Sequence, residues 1–182
     1  PIGAYPGASI TNGGFFDSVT LPDTGSFTMH LSPIVGRTGT VTLSLYDVAP
    51  DTRGEIEPSG PPVAVANTTP GQNHHLTFEG TPGQRVSLEA TGLTYGSGLG
   101  AYISIRGPDG ASIVQPAFAS APGGGYLDVM TLSQQGTHTV VVDPDVWAVG
   151  SATVKLHNVP GDLAETTTPG GDPVTVTTTA PG

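Results

Sequence analysis

Apolar and polar residues alternate along most of the chain, in runs of about four to eight residues that end at or near Gly, Pro, Asn or Asp. Successive side chains of a β-strand point to opposite faces of a sheet, so this alternation predicts strands. No window shows the three-to-four spacing of an amphipathic helix, and Pro and Gly interrupt the chain too often for one. The predicted fold class is all-β. The clearest runs are PVAVANTT (62–69), HLTFEG (75–80), QRVSLEATG (84–92), AYISIRG (101–107), YLDVMTL (126–132), HTVVVDP (138–144) and ATVKLHNV (152–159).

The chain also resembles itself when it is shifted by 111 positions. Residues 15–51 then fall on residues 126–162 without a gap, and 25 of the 71 aligned positions are identical. The period is too long for one turn of a solenoid, whose units are about 20–50 residues. It matches an independent β-sandwich of about 100 residues. We therefore predict a jelly-roll-like β-sandwich in tandem repeats with a 111-residue period.

The aligned ends predict the domain boundaries. Residues 1–57 correspond to the C-terminal part of one repeat, residues 58–168 to a complete repeat, and residues 169–182 to a linker with the first strand of the next repeat. The phrase PGGDPVTVTTTAPG (169–182) is the second copy of PSGPPVAVANTTPG (58–71). In each copy the valines are predicted to face a core while the threonines favour extended backbone and face water.

These valines form a candidate strand for contacts between repeats. A half-sandwich exposes a sheet edge and half a core, so neighbouring copies could complete each other by strand exchange. A cut between repeats is the alternative reason for the partial units. The four positions are Val63, Val65, Val174 and Val176.

Charge and composition exclude several classes of partner. The net charge is -10 and only five residues are Lys or Arg, without a cluster, so we exclude nucleic acid and disfavour anionic membranes. No stretch of 18 apolar residues is present, so no membrane insertion is predicted. The absence of cysteine excludes disulfides and thiolate metal sites. The first ten residues do not read as a signal peptide, although a mature secreted fragment stays possible.

No motif predicts catalysis, a cofactor or a metal. A serine-hydrolase elbow is missing, and the GSGLG loop (96–100) lacks the lysine and helix of a phosphate-binding loop. Asp143 and Asp145 are close in sequence, but the other copy has neither aspartate, so a calcium site is disfavoured. His74 and His75 would point to opposite faces of a strand, and we interpret them as surface residues. His30, His138 and His157 replace Val141, Phe27 and Tyr46 of the other copy, which favours packing or surface roles.

Three aromatic residues are candidates for contact with a ligand or partner. Trp147 aligns with Gly36 of the other copy. An exposed tryptophan could stack on a sugar or on a neighbouring protomer. We favour burial of Trp147 at the end of the sandwich. Tyr95 and Tyr102 flank the GSGLG loop and carry the same two interpretations.

Several stretches together resemble the bacterial pre-peptidase C-terminal domain family. They are GQRVSLEATG, AYISIRGPDGASI, YLDVMTLSQQGTHTVVVDP and ATVKLHNV. His138 stands where the family usually has tyrosine. The resemblance covers about 80 residues of each period. It implies a jelly-roll-like sandwich attached to secreted enzymes or surface proteins, without catalysis by the domain itself.

We therefore predict a secreted, cell-surface, non-enzymatic structural repeat that forms a stalk, adhesin shaft or fibre subunit. Its partners would be neighbouring repeats or identical protomers. The alternatives are a module that binds carbohydrate or protein through Trp147 or Tyr102, and an accessory domain of a secreted protease.

Overall fold

A computed structural model describes residues 13–181 and contains nine β-strands. Residues 1–12 of the predicted segment 1–57, and Gly182 of the segment 169–182, lie outside the described residues. The described part contains no helix, and hence no helix long and apolar enough to cross a membrane. The strands are β1 (Thr52–Glu55), β2 (Val63–Asn67), β3 (His74–Gly80), β4 (Arg85–Thr91), β5 (Gly100–Arg106), β6 (Ala117–Ser120), β7 (Gly125–Thr131), β8 (Gly136–Pro144) and β9 (Gly150–Asn158).

The strands form two sheets that face each other across one apolar core. One sheet has five strands in the order β1-β3-β8-β5-β6, and the other has four in the order β2-β9-β4-β7. Every pair is antiparallel except β1 with β3. The predicted all-β sandwich is confirmed by this pairing.

The alternating residues bury their apolar positions as predicted. Val86, Leu88, Ile103 and Ile105 are each 0% exposed, and Leu76 and Phe78 are also buried. Val65 is buried, while Val63 is half-buried and packs against the same core. Val140 and Val142 of β8 add to the five-stranded wall of this core, and Val154 and Leu156 of β9 add to the four-stranded wall.

The sandwich begins before the predicted repeat boundary at residue 58. Strand β1 pairs in parallel with β3 from Thr52 to Glu55, and the Ile56 side chain that follows is buried in the core. The sequence of β1, TRGE, has no apolar alternation, and all four of its residues are exposed. This short edge strand was therefore missed, because strand patterns in a sequence come from a buried face.

Residues 13–51 and 160–181 contain no strand among the described residues. The aligned segments 15–51 and 126–162 therefore differ: the second contains β7, β8 and β9, and the first has extended chain and turns. The strand predicted around Val174 and Val176 is likewise absent, and both valines are exposed.

Candidate functional site

Residues 50–52 are fastened to residues 72–75 by a set of hydrogen bonds that we call the junction clamp. The Asn73 backbone N–H donates to Asp51 Oδ1 at 3.0 Å, and Asp51 Oδ2 lies 3.0 Å from His75 Nε2. Gln72 Nε2 donates to the Pro50 carbonyl at 3.0 Å. These bonds tie the segment that enters the sandwich to the start of β3.

The same clamp continues into the core through Thr52 and His74. The Thr52 backbone N–H donates to the Asn73 carbonyl at 3.0 Å, and the Thr52 hydroxyl hydrogen-bonds His74 Nδ1. His74 is 1% exposed, and burial lowers the pKa of its imidazole, against a smaller raising influence of Asp51. His74 Nε2 has no hydrogen-bond partner among the described residues.

The histidine pair points to opposite faces, but its interpretation as a surface pair was wrong. Strand β3 turns His74 inward with Leu76 and Phe78, because alternate residues share a face. His75 lies on the outer face, half-buried beside Asp51. His138 is also fully buried and stacks on Phe78, its partner across the β3–β8 pair, with ring centroids 5.3 Å apart. His157 is buried 3.3 Å from Glu89.

The candidate aromatic residues separate into one buried and two exposed side chains. Tyr95 is buried, its hydroxyl has no partner among the described residues, and burial raises the pKa of the phenol to about 12. It is not placed to touch a ligand. Trp147 is 53% exposed, so its expected burial was wrong. It lies in the turn between β8 and β9, where the Ala148 N–H donates to the Asp145 carbonyl at 2.8 Å.

Tyr102 lies on the outer face of the five-stranded sheet as part of an aromatic pair. Its ring meets that of Phe118 with centroids 5.1 Å apart, and both side chains are partly exposed. Sequence reasoning missed Phe118, whose signal is its position opposite Tyr102 in the β5–β6 pair. An open cavity of about 200 Å³ adjoins Tyr102 and is lined also by Phe15, Asp17, Asp143, Pro144, Asp145 and Val146.

The carboxylates beside this cavity repel one another. Burial raises the pKa of Asp143, and Asp17, Asp145 and Asp51 raise it further, while Arg106 opposes them. Among residues 13–181, no group of three or more His, Cys, Asp or Glu side chains is arranged to hold a metal ion. The cavity therefore presents an aromatic wall beside carboxylates.

Several exposed apolar residues of segment 13–51 align, at the 111-residue offset, with buried residues of the sandwich. Leu45 is 86% exposed, whereas its counterpart Leu156 is 0% exposed. Six other exposed residues of segment 13–51 also align with core residues of the sandwich. The pairs, exposed residue first, are Phe16 with Leu127, Leu21 with Leu132, Met29 with Val140, Leu31 with Val142, Val41 with Ala152 and Leu43 with Val154.

Glycines that the sandwich requires by packing recur at the same offset. A Cβ on Gly125 would lie 2.5 Å from Ala119 Cα, and a Cβ on Gly150 would lie 2.9 Å from Tyr95 Cδ1. Their counterparts are Gly14 and Gly39. A Cβ on Gly39 would meet nothing within 4 Å, so its surroundings in the structure do not require glycine.

Two turns recur as well. The Gly60 N–H donates to the Glu57 carbonyl and the Gly171 N–H to the Thr168 carbonyl, each at 2.9 Å. Both turns have proline second and a positive φ third, 62° at Ser59 and 79° at Gly170, which is a type II pattern. Turns 34–37 and 145–148 also correspond, each closed by a bond from its fourth N–H to its first carbonyl.

No protein-family model matches the chain, and no curated protein sequence does. Among solved structures, it is similar to the pre-peptidase C-terminal domain of collagenase from Bacillus anthracis, with a TM-score of 0.46, 9% identity, and coverage of 60% of this chain and 99% of that one. The fold is a β-sandwich similar to that domain. The chain is also similar to PliG of Aeromonas hydrophila, a periplasmic inhibitor of g-type lysozyme, with a TM-score of 0.38, 15% identity, and coverage of 59% and 99%. The fold class rests on the strand pairing of this chain itself.

Proposed function

We propose that the chain is part of a non-enzymatic, extracellular array of β-sandwich repeats that serves as a stalk, adhesin shaft or fibre subunit. The observation that carries the proposal is the exposed apolar sequence of residues 13–47, which copies the buried positions of β7 to β9. Exposing so many large apolar side chains is unfavourable, because each buried one stabilises by about 1.5–3 kcal/mol. A neighbouring set of strands would bury them.

If residues 13–47 form strands as β7 to β9 do, the pairing within the sandwich gives the partners that they would need. In the complete sandwich β7 pairs with β4, β8 pairs with β3 and β5, and β9 pairs with β2 and β4. All these partners lie between Val63 and Arg106. The 51 residues before β1 align with β7 to β9 and with none of β2 to β5. In the proposed array, the lack of these partners would account for the absence of strands in segment 13–51.

The linker between repeats would be short. The counterpart of β9 ends at residue 47, since 158 minus 111 is 47, and β1 begins at Thr52. Four residues, 48–51, would join two sandwiches. The last two of these four, Pro50 and Asp51, are held by the junction clamp. Such a joint suits a shaft whose length is set by rigid units. The net charge of -10 would discourage random association.

A fusion chain tests the proposal. A second copy of residues 52–111 is placed before Pro1, so that counterparts of β1 to β5 precede residues 13–47. We expect small-angle X-ray scattering to show two beads joined end to end. The control carries the same 60 residues, counted from 52 to 111, in shuffled order. One bead with an extended tail in both chains would contradict the proposal.

Strand exchange between separate chains could also form a fibre, but it would supply fewer of the strands that residues 13–47 need. Residues 174–178 correspond to β2, an edge strand, and could pair with residues 39–43 of another chain. Counterparts of β3, β4 and β5 would still be missing from that assembly. If exchange occurs, deleting residues 172–182 will abolish fibres seen by electron microscopy and leave the sandwich folded. Fibres that persist after the deletion would exclude this route.

A second candidate function is carbohydrate binding on the outer face of the five-stranded sheet. The Tyr102–Phe118 pair beside the 200 Å³ cavity favours it, because aromatic faces stack on sugars and carboxylates accept hydrogen bonds from hydroxyl groups. A glycan array tests it with Tyr102→Ala and Trp147→Ala. Tyr126→Ala, an exposed aromatic residue on the other sheet, is the control. Absence of binding by the wild-type chain would end this candidate.

A further inference from the structure

Two aspartates that align at the 111-residue offset, Asp51 and Asp162, each bind the sandwich. Asp51 binds the sandwich that follows it, through the Asn73 N–H at 3.0 Å and His75 Nε2 at 3.0 Å. Asp162, its counterpart, binds the sandwich that precedes it, accepting from Arg85 Nη2 at 2.8 Å. In the proposed array, these two sets of bonds would be the two halves of one junction, seen at opposite ends of the same sandwich.

We propose that a single aspartate at each junction, represented by Asp51 and Asp162, bridges neighbouring repeats by binding an Arg85-type guanidinium and a His75-type imidazole at once. The inference rests on the proposed array. Arg85 begins β4 and His75 lies on β3, so the bridge joins opposite sheets of successive sandwiches. The partner of this surface is the next copy of the same repeat.

The carboxylate has the capacity for both sets of bonds. An ionised aspartate offers about four lone-pair sites, and Asp51 uses two of them in the clamp. The Asp162 side chain is 90% exposed and accepts one hydrogen bond from Arg85. Its other acceptor sites could therefore bind groups of a following repeat. A four-residue linker spans at most about 14 Å, which keeps adjacent sandwiches within reach of one side chain.

The bridge would fix the angle between repeats. Its bonds are charge-assisted, and such bonds are shorter and roughly twice as strong as neutral ones. A partly exposed bridge is weakened by salt, because the Debye length falls to about 3 Å at 1 M ionic strength. Loss of the carboxylate would leave the two sandwiches joined by chain alone and free to bend.

Spin labels can measure this angle in the fusion chain. The chain has no cysteine, so Thr24→Cys and Gln135→Cys place one label at the same position of each sandwich. We expect double electron–electron resonance to give one narrow distance distribution, and Asp51→Ala to broaden it. Arg85→Gln in the added copy should also broaden it, although it leaves the clamp on β3 intact. Asp23→Ala, which changes the same charge on an exposed residue, should leave the width unchanged.

The outcomes separate the bridge from the array. An unchanged width in both Asp51→Ala and the Arg85→Gln variant, with two folded sandwiches by calorimetry, would overturn the bridge and leave the array standing. Broadening in Asp51→Ala but not in the Arg85→Gln variant would also overturn it, since the clamp alone would then hold the joint. A fusion chain with one folded sandwich would overturn the proposed function itself.

Discussion

The Tyr95 ring lies against the backbone of Gly150, the first residue of β9. A Cβ on Gly150 would also approach the Tyr95 backbone nitrogen to 2.9 Å, so the ring can sit there only beside glycine. The tyrosine hydroxyl, however, is buried without a partner among the described residues. Tyr95 therefore stabilises the core through the packing of its ring and not through its hydroxyl group.

Replacing Tyr95 with phenylalanine should therefore stabilise the sandwich. A buried polar group without a partner costs about 1–3 kcal/mol, and Tyr95→Phe removes it while keeping the ring. We expect a higher Tm by differential scanning calorimetry. Tyr126→Phe, on an exposed ring, should leave the Tm unchanged. A lower Tm for Tyr95→Phe would show that the hydroxyl has a partner.

His74 should make the sandwich sensitive to acid. Burial lowers its pKa below the ordinary value of 6.5, so the unfolded chain binds a proton before the folded chain does as the pH falls. Stability is then full above about pH 6.5 and declines below it, by at most about 1.4 kcal/mol per pH unit for one proton. Urea unfolding at pH 7.5, 6 and 5 measures the slope. His74→Leu should flatten it and the exposed His30→Gln should not; equal slopes in all three chains would contradict the assignment.

At the scale of elements, alternation predicts strands where one face is buried and fails elsewhere. Residues 75–80 and 101–107 show alternation and become β3 and β5, with Leu76 and Ile103 inside. Strand β1 has no buried face, so its sequence carries no such pattern. The junction clamp is equally hidden, because its polar partners lie more than 20 residues apart and meet only when β1 pairs with β3. In the sequence, Asp51 stands out only by its identity with Asp162 at the 111-residue offset, which does not indicate its partners.

Residues 13–47 are expected to be cut rapidly by chymotrypsin in the chain as it stands. They form no strand, and their Phe and Leu side chains are exposed. Proteolysis follows local opening, so strands within a sandwich are protected. In the fusion chain the cuts at Phe27 and Leu43 should slow, while the shuffled control stays sensitive. Mass spectrometry of the fragments measures the rates, and equal rates in both chains would contradict strand formation.

At the scale of the whole molecule, one sandwich is flanked by segments 13–51 and 160–181, which contain no strand. At the 111-residue offset, segment 13–47 aligns with β7 to β9, and segment 174–178 aligns with β2. The recurring glycines, turns and core positions agree with an array in which each copy needs the strands of its own repeat. In the proposed array, the short linker and the junction clamp would set how successive sandwiches are oriented.

The total unfolding enthalpy of the fusion chain tests the repeat most directly. Unfolding enthalpy scales with the number of folded residues, at about 0.7 kcal/mol per residue near 60 °C. If residues 13–47 complete a second sandwich, calorimetry will give about twice the enthalpy of the original chain, in one transition or two. An enthalpy equal to that of the original chain, matched by the shuffled control, would contradict the account.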